Sequence, residues 1–200
     1  MSALRDLKRF EHYLTLDEYL MVDRASQGKH EYLNGKIYDM AGGSETHNLI
    51  TGNVFASFHA QRRSKGCKTY VENMRVITPS KLAAFPDVIA VCGDSQFLDD
   101  KRDVLLNPTV IVEVLSPSTE LYDRSTKREH YQSLSSLRDY LLIRQDMAEI
   151  EHFSRAADAE WTNISTVTRG RDQTVELPSI GFTLALSDVY ADVELENQGG

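Results

Sequence analysis

The sequence predicts a mixed α/β (α+β) fold, a central mixed sheet flanked by helices, and three observations carry that prediction. Apolar stretches rich in Val and Ile and bounded by turn residues recur at Thr69–Ile77, Phe85–Cys92 and Thr109–Leu115, as half-buried or buried strands do. Helical periodicity appears before the first of these, where Leu49, Ile50, Val54, Phe55 and Phe58 fall on one side of a segment from His47 to about Arg63. A second helical segment follows the last of them, so helices and strands interleave rather than segregate.

Along the chain, Thr15-Leu-Asp-Glu18 fits a capping box and predicts a short helix to about Arg24. Asn34-Gly35 between Glu31–Leu33 and Lys36–Met40 predicts a two-residue hairpin. Ala41-Gly-Gly-Ser44 reads as a loop, and Gly66 ends the long helix. Ser116-Pro-Ser-Thr119 stops the third strand and offers an N-cap to a helix from about Tyr122 to Leu134, with Asp123, Lys127 and Tyr131 spaced by four on one face. Arg138–Arg144 and Ile150–Ser154 read as strands, followed by further β structure through Trp161, Val167, Val175 and Gly181–Leu186 and a short helix near Val189.

Two hundred residues support one domain with a substantial core, expected over 1–193, with a fraying tail at 194–200. No apolar run approaches the roughly 20 residues that cross a bilayer, and Met1–Phe10 lacks the apolar stretch of a signal peptide. Cys67 and Cys92 are the two cysteines. They form no disulfide framework and no Cys-x-x-Cys zinc site, so a cytoplasmic protein with two buried or idle thiols is expected. The net charge of −8 excludes a protein that coats nucleic acid through bulk electrostatics. It leaves room for a local contact, because Arg62, Arg63, Lys65, Lys68, Arg75 and Lys81 face only Glu72 between Gln61 and Lys81. That run reads either as a solvated helix end and loop or as a phosphate-contacting patch.

Two acids stand out chemically. Asp87 follows Pro86 at a strand start, and Glu113 lies mid-strand, where alternation puts it on one face with Ile111 and Leu115 and opposite Val110, Val112 and Val114. An ionised carboxylate in such a place costs several kcal/mol unless it is paired or bound to a cation. The pair therefore suggests a divalent ion, with an arginine partner inside the sheet as the competing account. Lys127 either reaches the same cleft or pairs with Asp123 along its helix. Glu31 and His47 are candidate companions, whereas His12, His30, His59, His130 and His152 show no ligand spacing. Ser116 and Ser118 lack a Gly-x-Ser-x-Gly context, and no aromatic-rich groove supports a two-carboxylate glycosidase.

The string Pro108-Thr-Val-Ile-Val-Glu-Val-Leu-Ser-Pro-Ser-Thr119, then Tyr122-Asp-Arg124, Lys127 and Tyr131, resembles the signature of the Uma family. Those proteins are described as restriction endonucleases of the PD-(D/E)XK nuclease-like superfamily. The resemblance extends upstream to Glu31–Gly35, His47 and Phe85–Val88, and downstream to Leu137–Ile143, Trp161 and Leu186–Tyr190. It implies a restriction-endonuclease-like core, Mg²⁺ or Mn²⁺, DNA as substrate and a homodimer. Carried over, Asp87 and Glu113 would be metal ligands, Lys127 the catalytic lysine, and Glu31 and His47 accessory residues. The basic residues Arg62, Arg63, Lys65 and Lys68 would contact the DNA backbone. One departure stands out, since the superfamily places its lysine two residues after the acid, where this chain has Leu115. Lys127 would stand in from the following helix. The alternative function is a non-catalytic DNA- or protein-binding module on the same fold.

Overall fold

The computed structural model describes residues 13–40 and 42–195. Residues 1–12, Ala41 and 196–200 lie outside it, so the expectations for the N-terminal segment and most of the tail fall outside the described residues. The chain runs α1 (Leu16–Ala25), β1 (His30–Leu33), β2 (Lys36–Asp39), α2 (Glu45–Gln61), a 3₁₀ turn (Arg62–Lys65), β3 (Cys67–Val71), β4 (Arg75–Ile77), β5 (Leu82–Ala84), β6 (Val88–Cys92), β7 (Val104–Leu105) and β8 (Val110–Val114). Then follow α3 (Glu120–Tyr122), a π-helical turn (Asp123–Lys127), α4 (Arg128–Gln132), β9 (Asp139–Ile143), β10 (Glu149–Ser154), β11 (Thr166–Arg169), β12 (Thr174–Leu177), β13 (Phe182–Ala185) and α5 (Leu186–Val189).

The strands form a six-stranded sheet in the order β11-β10-β9-β8-β6-β3, a five-stranded sheet β2-β1-β5-β4-β7, and a ribbon β12-β13. Both larger sheets are mixed, because β8–β9 and β4–β7 pair parallel while their other neighbours are antiparallel. The expected mixed α/β fold with helices against mixed sheet is present, its strands shared between two such sheets. The division has a local cause. What reads as one strand over Thr69–Ile77 breaks at Glu72, whose φ of 52° lies in the left-handed region, and the chain crosses from β3 in one sheet to β4 in the other. The returning segment crosses back through Phe85-Pro86-Asp87, where proline cannot donate a ladder hydrogen bond. The two crossings are tied together by Glu72 N–H donating to the Asp87 carbonyl at 3.0 Å.

Alternation on β6 and β8 sorts the core. Val88, Ala90, Val110, Val112 and Val114 pack with Ile50, Val54 and Phe58 of α2 and with the ribbon. Ile89, Val91, Ile111 and Leu115 pack on the other face, against Val76, Leu82 and Ala84 of the second sheet and Tyr131 of α4. On the far side of that second sheet, α1 buries Tyr19 and Leu20 against Tyr32, Ile77 and Ala83. Glu113 lies on the face between the two sheets, as its alternation predicts.

Several local expectations hold. Thr15 and Glu18 form the capping box of α1, and Asn34 and Gly35 turn the β1–β2 hairpin with φ of 47° and 95°, the left-handed pair a type I′ turn requires. The helix expected from Tyr122 to Leu134 instead carries a π-helical turn over Asp123–Lys127. The two cysteines correct an expectation. Cys67 and Cys92 are cross-strand neighbours on β3 and β6 and are joined as a disulfide, with Cα atoms 4.0 Å apart, rather than standing as idle thiols.

Candidate metal centre

A cavity of about 520 Å³ opens between the two sheets at the point where the chain crosses from one to the other. It is lined by Glu31, His47, Asp87, Glu113 and Lys127, so all five residues expected to share a site line one cavity. Each arrives on a different element. Glu31 comes from β1 on the five-stranded sheet, Glu113 from β8, and Asp87 from the crossing that enters β6. His47 lies in the first turn of α2, and Lys127 closes the π-helical turn.

The two acids are linked by register. Val88 faces Val112 and Ile89 faces Ile111 across β6–β8, so extending the pairing by one residue sets Asp87 opposite Glu113. Like charges directly opposite destabilise a sheet unless something positive intervenes. Asp87 Oδ2 accepts from the Val114 backbone N–H at 2.6 Å, and Oδ1 faces His47 Nε2 at 3.0 Å. Glu113 is only 3% exposed. Its Oε1 accepts from Tyr131 Oη at 2.9 Å and from Lys127 Nζ at 3.3 Å, whereas Oε2 takes no hydrogen bond among the described residues.

Lys127 sits inside a cage of acids. Its Nζ is 3.0 Å from Glu31 Oε1, 3.1 Å from Asp123 Oδ1 and 3.3 Å from Glu113 Oε1. The first two contacts lack hydrogen-bond geometry, so those buried oxygens are neutralised by charge without receiving a proton. Three carboxylates thus meet one ammonium, while Asp87 faces His47. Burial raises the Glu113 carboxyl well above the usual carboxylate range, Lys127 offsets part of that, and Asp123, Asp87 and Glu31 push it further up. Burial alone would lower Lys127, but Glu113 and Glu31 outweigh it and hold the ammonium charged. For His47, burial pulls the imidazole down, the hydrogen bond and charge of Asp87 more than reverse this, and the net shift is upward.

Three contacts at this site have no signature of their own in the sequence. Gln145, just after β9, donates to the Leu115 carbonyl at 2.8 Å, accepts from Ser44 Oγ at 2.8 Å and faces His47 Nδ1 at 3.5 Å, binding the loop before α2 to the end of β8. Tyr131 donates to Glu113, which the spacing of four with Lys127 placed on the right face without revealing its partner. Asp123, weighed from sequence only as a helix partner, is 2% exposed and belongs to the cage. The π-helical turn, a feature that recurs at functional sites, accommodates both Asp123 and Lys127. Leu115 packs in the core, so no lysine there could reach solvent without disrupting it.

The basic run is elsewhere. Arg62, Arg63, Lys65 and Lys68 gather at the C-terminal end of α2 and the start of β3. Fifteen residues of helix place Arg62 about 22 Å along the axis from His47. Arg75 does not belong to that surface, because it is 4% exposed and paired with Asp23 and Asp103.

The donor set suits a small hard cation of one kind. Among the described residues, no three His, Cys, Asp or Glu side chains converge as a preformed metal cage, since Lys127 occupies the centre of three of the acids. Mg²⁺ does not need such a cage, because it binds through one or two carboxylates and keeps water or phosphate at its other positions. Asp87 and the unengaged Oε2 of Glu113 fit that pattern.

Comparison with known proteins agrees with the architecture. Two uncharacterized proteins of Synechocystis sp., sll1609 and slr1290, are each 32% identical to this chain. The first aligns over 74% of this chain and 84% of its own length, the second over 88% and 91%. A crystal structure described as a putative nuclease belonging to DUF820, from Anabaena variabilis, superposes with a TM-score of 0.74 at 18% identity, over 90% of this chain and 99% of that one. That likeness establishes the fold. The model of the Uma2 family, described as "Putative restriction endonuclease", matches residues 10–187, and the chain therefore belongs to that family.

Proposed function

We propose that the protein is a metal-dependent endonuclease that hydrolyses DNA phosphodiester bonds, with Asp87 and Glu113 holding Mg²⁺ or Mn²⁺. The observation that carries this reading is the charge imbalance of the cavity. Three recessed carboxylates share one ammonium, and the one it engages at the longest distance, Glu113 through one oxygen only, stands opposite a fourth acid, Asp87, that the ammonium does not touch. A divalent ion held there supplies a Lewis acid that polarises the phosphodiester and offsets the charge of its transition state. Lys127 faces the same space and orients the attacking water. That water adds to phosphorus, the bond to the departing sugar oxygen breaks, and the water's proton passes to an acceptor while the departing oxygen gains one. His47 fixes the rotamer of Asp87 through its 3.0 Å contact, and Glu31 and Asp123 keep Lys127 charged. Assembly as a homodimer and a cytoplasmic location belong to the same reading. Light scattering tests the first and fractionation of cells the second, against which the Cys67–Cys92 disulfide weighs because the cytosol keeps thiols reduced.

The complete pairing of Lys127 favours one other reading, a binding module on a nuclease fold in which the lysine only neutralises acids. Incubation of supercoiled plasmid and heat-denatured DNA with the pure protein and Mg²⁺ separates the two. The endonuclease reading expects cleavage of at least one substrate, abolished by EDTA and by Asp87→Ala. Cleavage that persists undiminished in Asp87→Ala would remove the assignment.

A further inference from the structure

The acids are set far back. Glu113 is 3% exposed and Lys127 6%, and the Asp87 side chain retains 15% of its surface. The cavity reaches them between the loop before α2 and the loop after β8, and Gln145 ties these two walls together. A scissile phosphate has to enter this space to meet the acids.

Among the described residues, the lining of the cavity carries few of the charges that grip a duplex, Lys29 standing behind it over the Phe85 ring. Non-specific grip on double-stranded DNA comes from several Lys and Arg side chains neutralising neighbouring phosphates. Among the described residues, Lys127 is the one Lys or Arg that lines the cavity, and it is held by three carboxylates. Arg124 is paired with Glu120 and Glu151, and Arg144 with Asp146 and Glu120. The cationic cluster at Arg62–Lys68 stands at the far end of α2.

From this recession and this charge pattern we propose that the substrate form is a single strand, or a duplex end opened into one, rather than an intact duplex. The proposal rests on the endonuclease reading above. A duplex is stiff over about 50 nm and carries its phosphates on a convex surface, so bringing one phosphate into a recess costs bending energy, on the order of 1–6 kcal/mol, that a single strand does not incur. A single strand can fold in, and a cavity of about 520 Å³ lies within the range of about 300–1,000 Å³ that encloses a small ligand.

The test uses the full chain and two fluorescein-labelled DNA substrates, a linear single strand and a covalently closed circular duplex that contains the same sequence and has no end. Anisotropy in Ca²⁺ reads affinity, and single-turnover cleavage in Mn²⁺ reads hydrolysis. The expected result is at least tenfold tighter binding and at least tenfold faster cleavage of the single strand. Equal or better binding and cleavage of the closed duplex overturns the proposal and leaves the endonuclease reading intact. Failure to bind or cleave either substrate overturns both.

Discussion

Replacing Glu113 by Gln should stabilise the metal-free protein and at the same time remove its response to Mg²⁺. Gln keeps the shape and an acceptor for Tyr131 Oη and Lys127 Nζ, and it removes one of the three acids around that ammonium. Lys127 retains Glu31 at 3.0 Å and Asp123 at 3.1 Å, so no buried cation is left unpaired. Removing a desolvated, crowded carboxylate under those conditions is worth about 1 kcal/mol, or roughly 2–4 °C in Tm for a chain of this size. The sign with pH follows from the raised carboxyl. Below about pH 4.5 the group is protonated whether folded or unfolded, and the wild type carries no penalty. As pH rises, the unfolded chain ionises first, and wild-type stability falls until pH passes the folded value. The two proteins should therefore unfold alike near pH 4 and diverge toward neutrality, followed by urea denaturation in EDTA. Adding Mg²⁺ at 100 times its Kd should then stabilise the wild type by about 2.7 kcal/mol and leave the variant unmoved. A wild type more stable than Glu113→Gln at pH 7.5 in EDTA, with no divergence from pH 4, would refute the reasoning.

Tyr131→Phe keeps the buried ring and removes the donor that orients Glu113 Oε1, so Mg²⁺ affinity by calorimetry should fall about 10-fold or more. Asp23→Asn strips a buried partner from Arg75 and His30 and should cost about 3 kcal/mol in urea denaturation, with no effect on Mg²⁺ affinity. The His47 imidazole titrates above its ordinary value of 6.5, so its contact with Asp87 stabilises fully below that pH and the contribution is lost as pH rises through the folded value. An NMR titration should show the His47 value dropping in Asp87→Asn. Reduction of Cys67–Cys92, which closes a 25-residue separation, should lower stability by about 3 kcal/mol, read by denaturation with and without dithiothreitol.

The parts of this molecule that were legible in its sequence are those fixed over short range. The capping box at Thr15, the left-handed Asn34-Gly35 turn and the alternation around Glu113 each follow from a few adjacent residues, and each is present. Asp87 and Glu113 were visible as acids out of place, and strand alternation fixed the face on which Glu113 lies. What escaped depends on pairing across long separations. Gln145 reaches Ser44 over 101 residues and carries no motif. Cys67 meets Cys92 only because β3 pairs with β6 in one register. The break at Glu72 that splits one strand between two sheets requires a backbone conformation that glutamate rarely adopts, so nothing local announced it. Arg75 looked like part of a basic surface because its partner Asp23 lies 52 residues away.

Asp87 and Glu113 are proposed to form a cation site in the cavity between the two sheets. A crystal structure with Mn²⁺, phased on its anomalous signal, addresses this most directly. The expected result is one anomalous peak at about 2.1 Å, the distance of small hard cations from oxygen, from carboxylate oxygens of Asp87 and Glu113, with Lys127 facing the same space. An empty site at millimolar Mn²⁺, with Lys127 Nζ still enclosed by Glu31, Glu113 and Asp123, would contradict it.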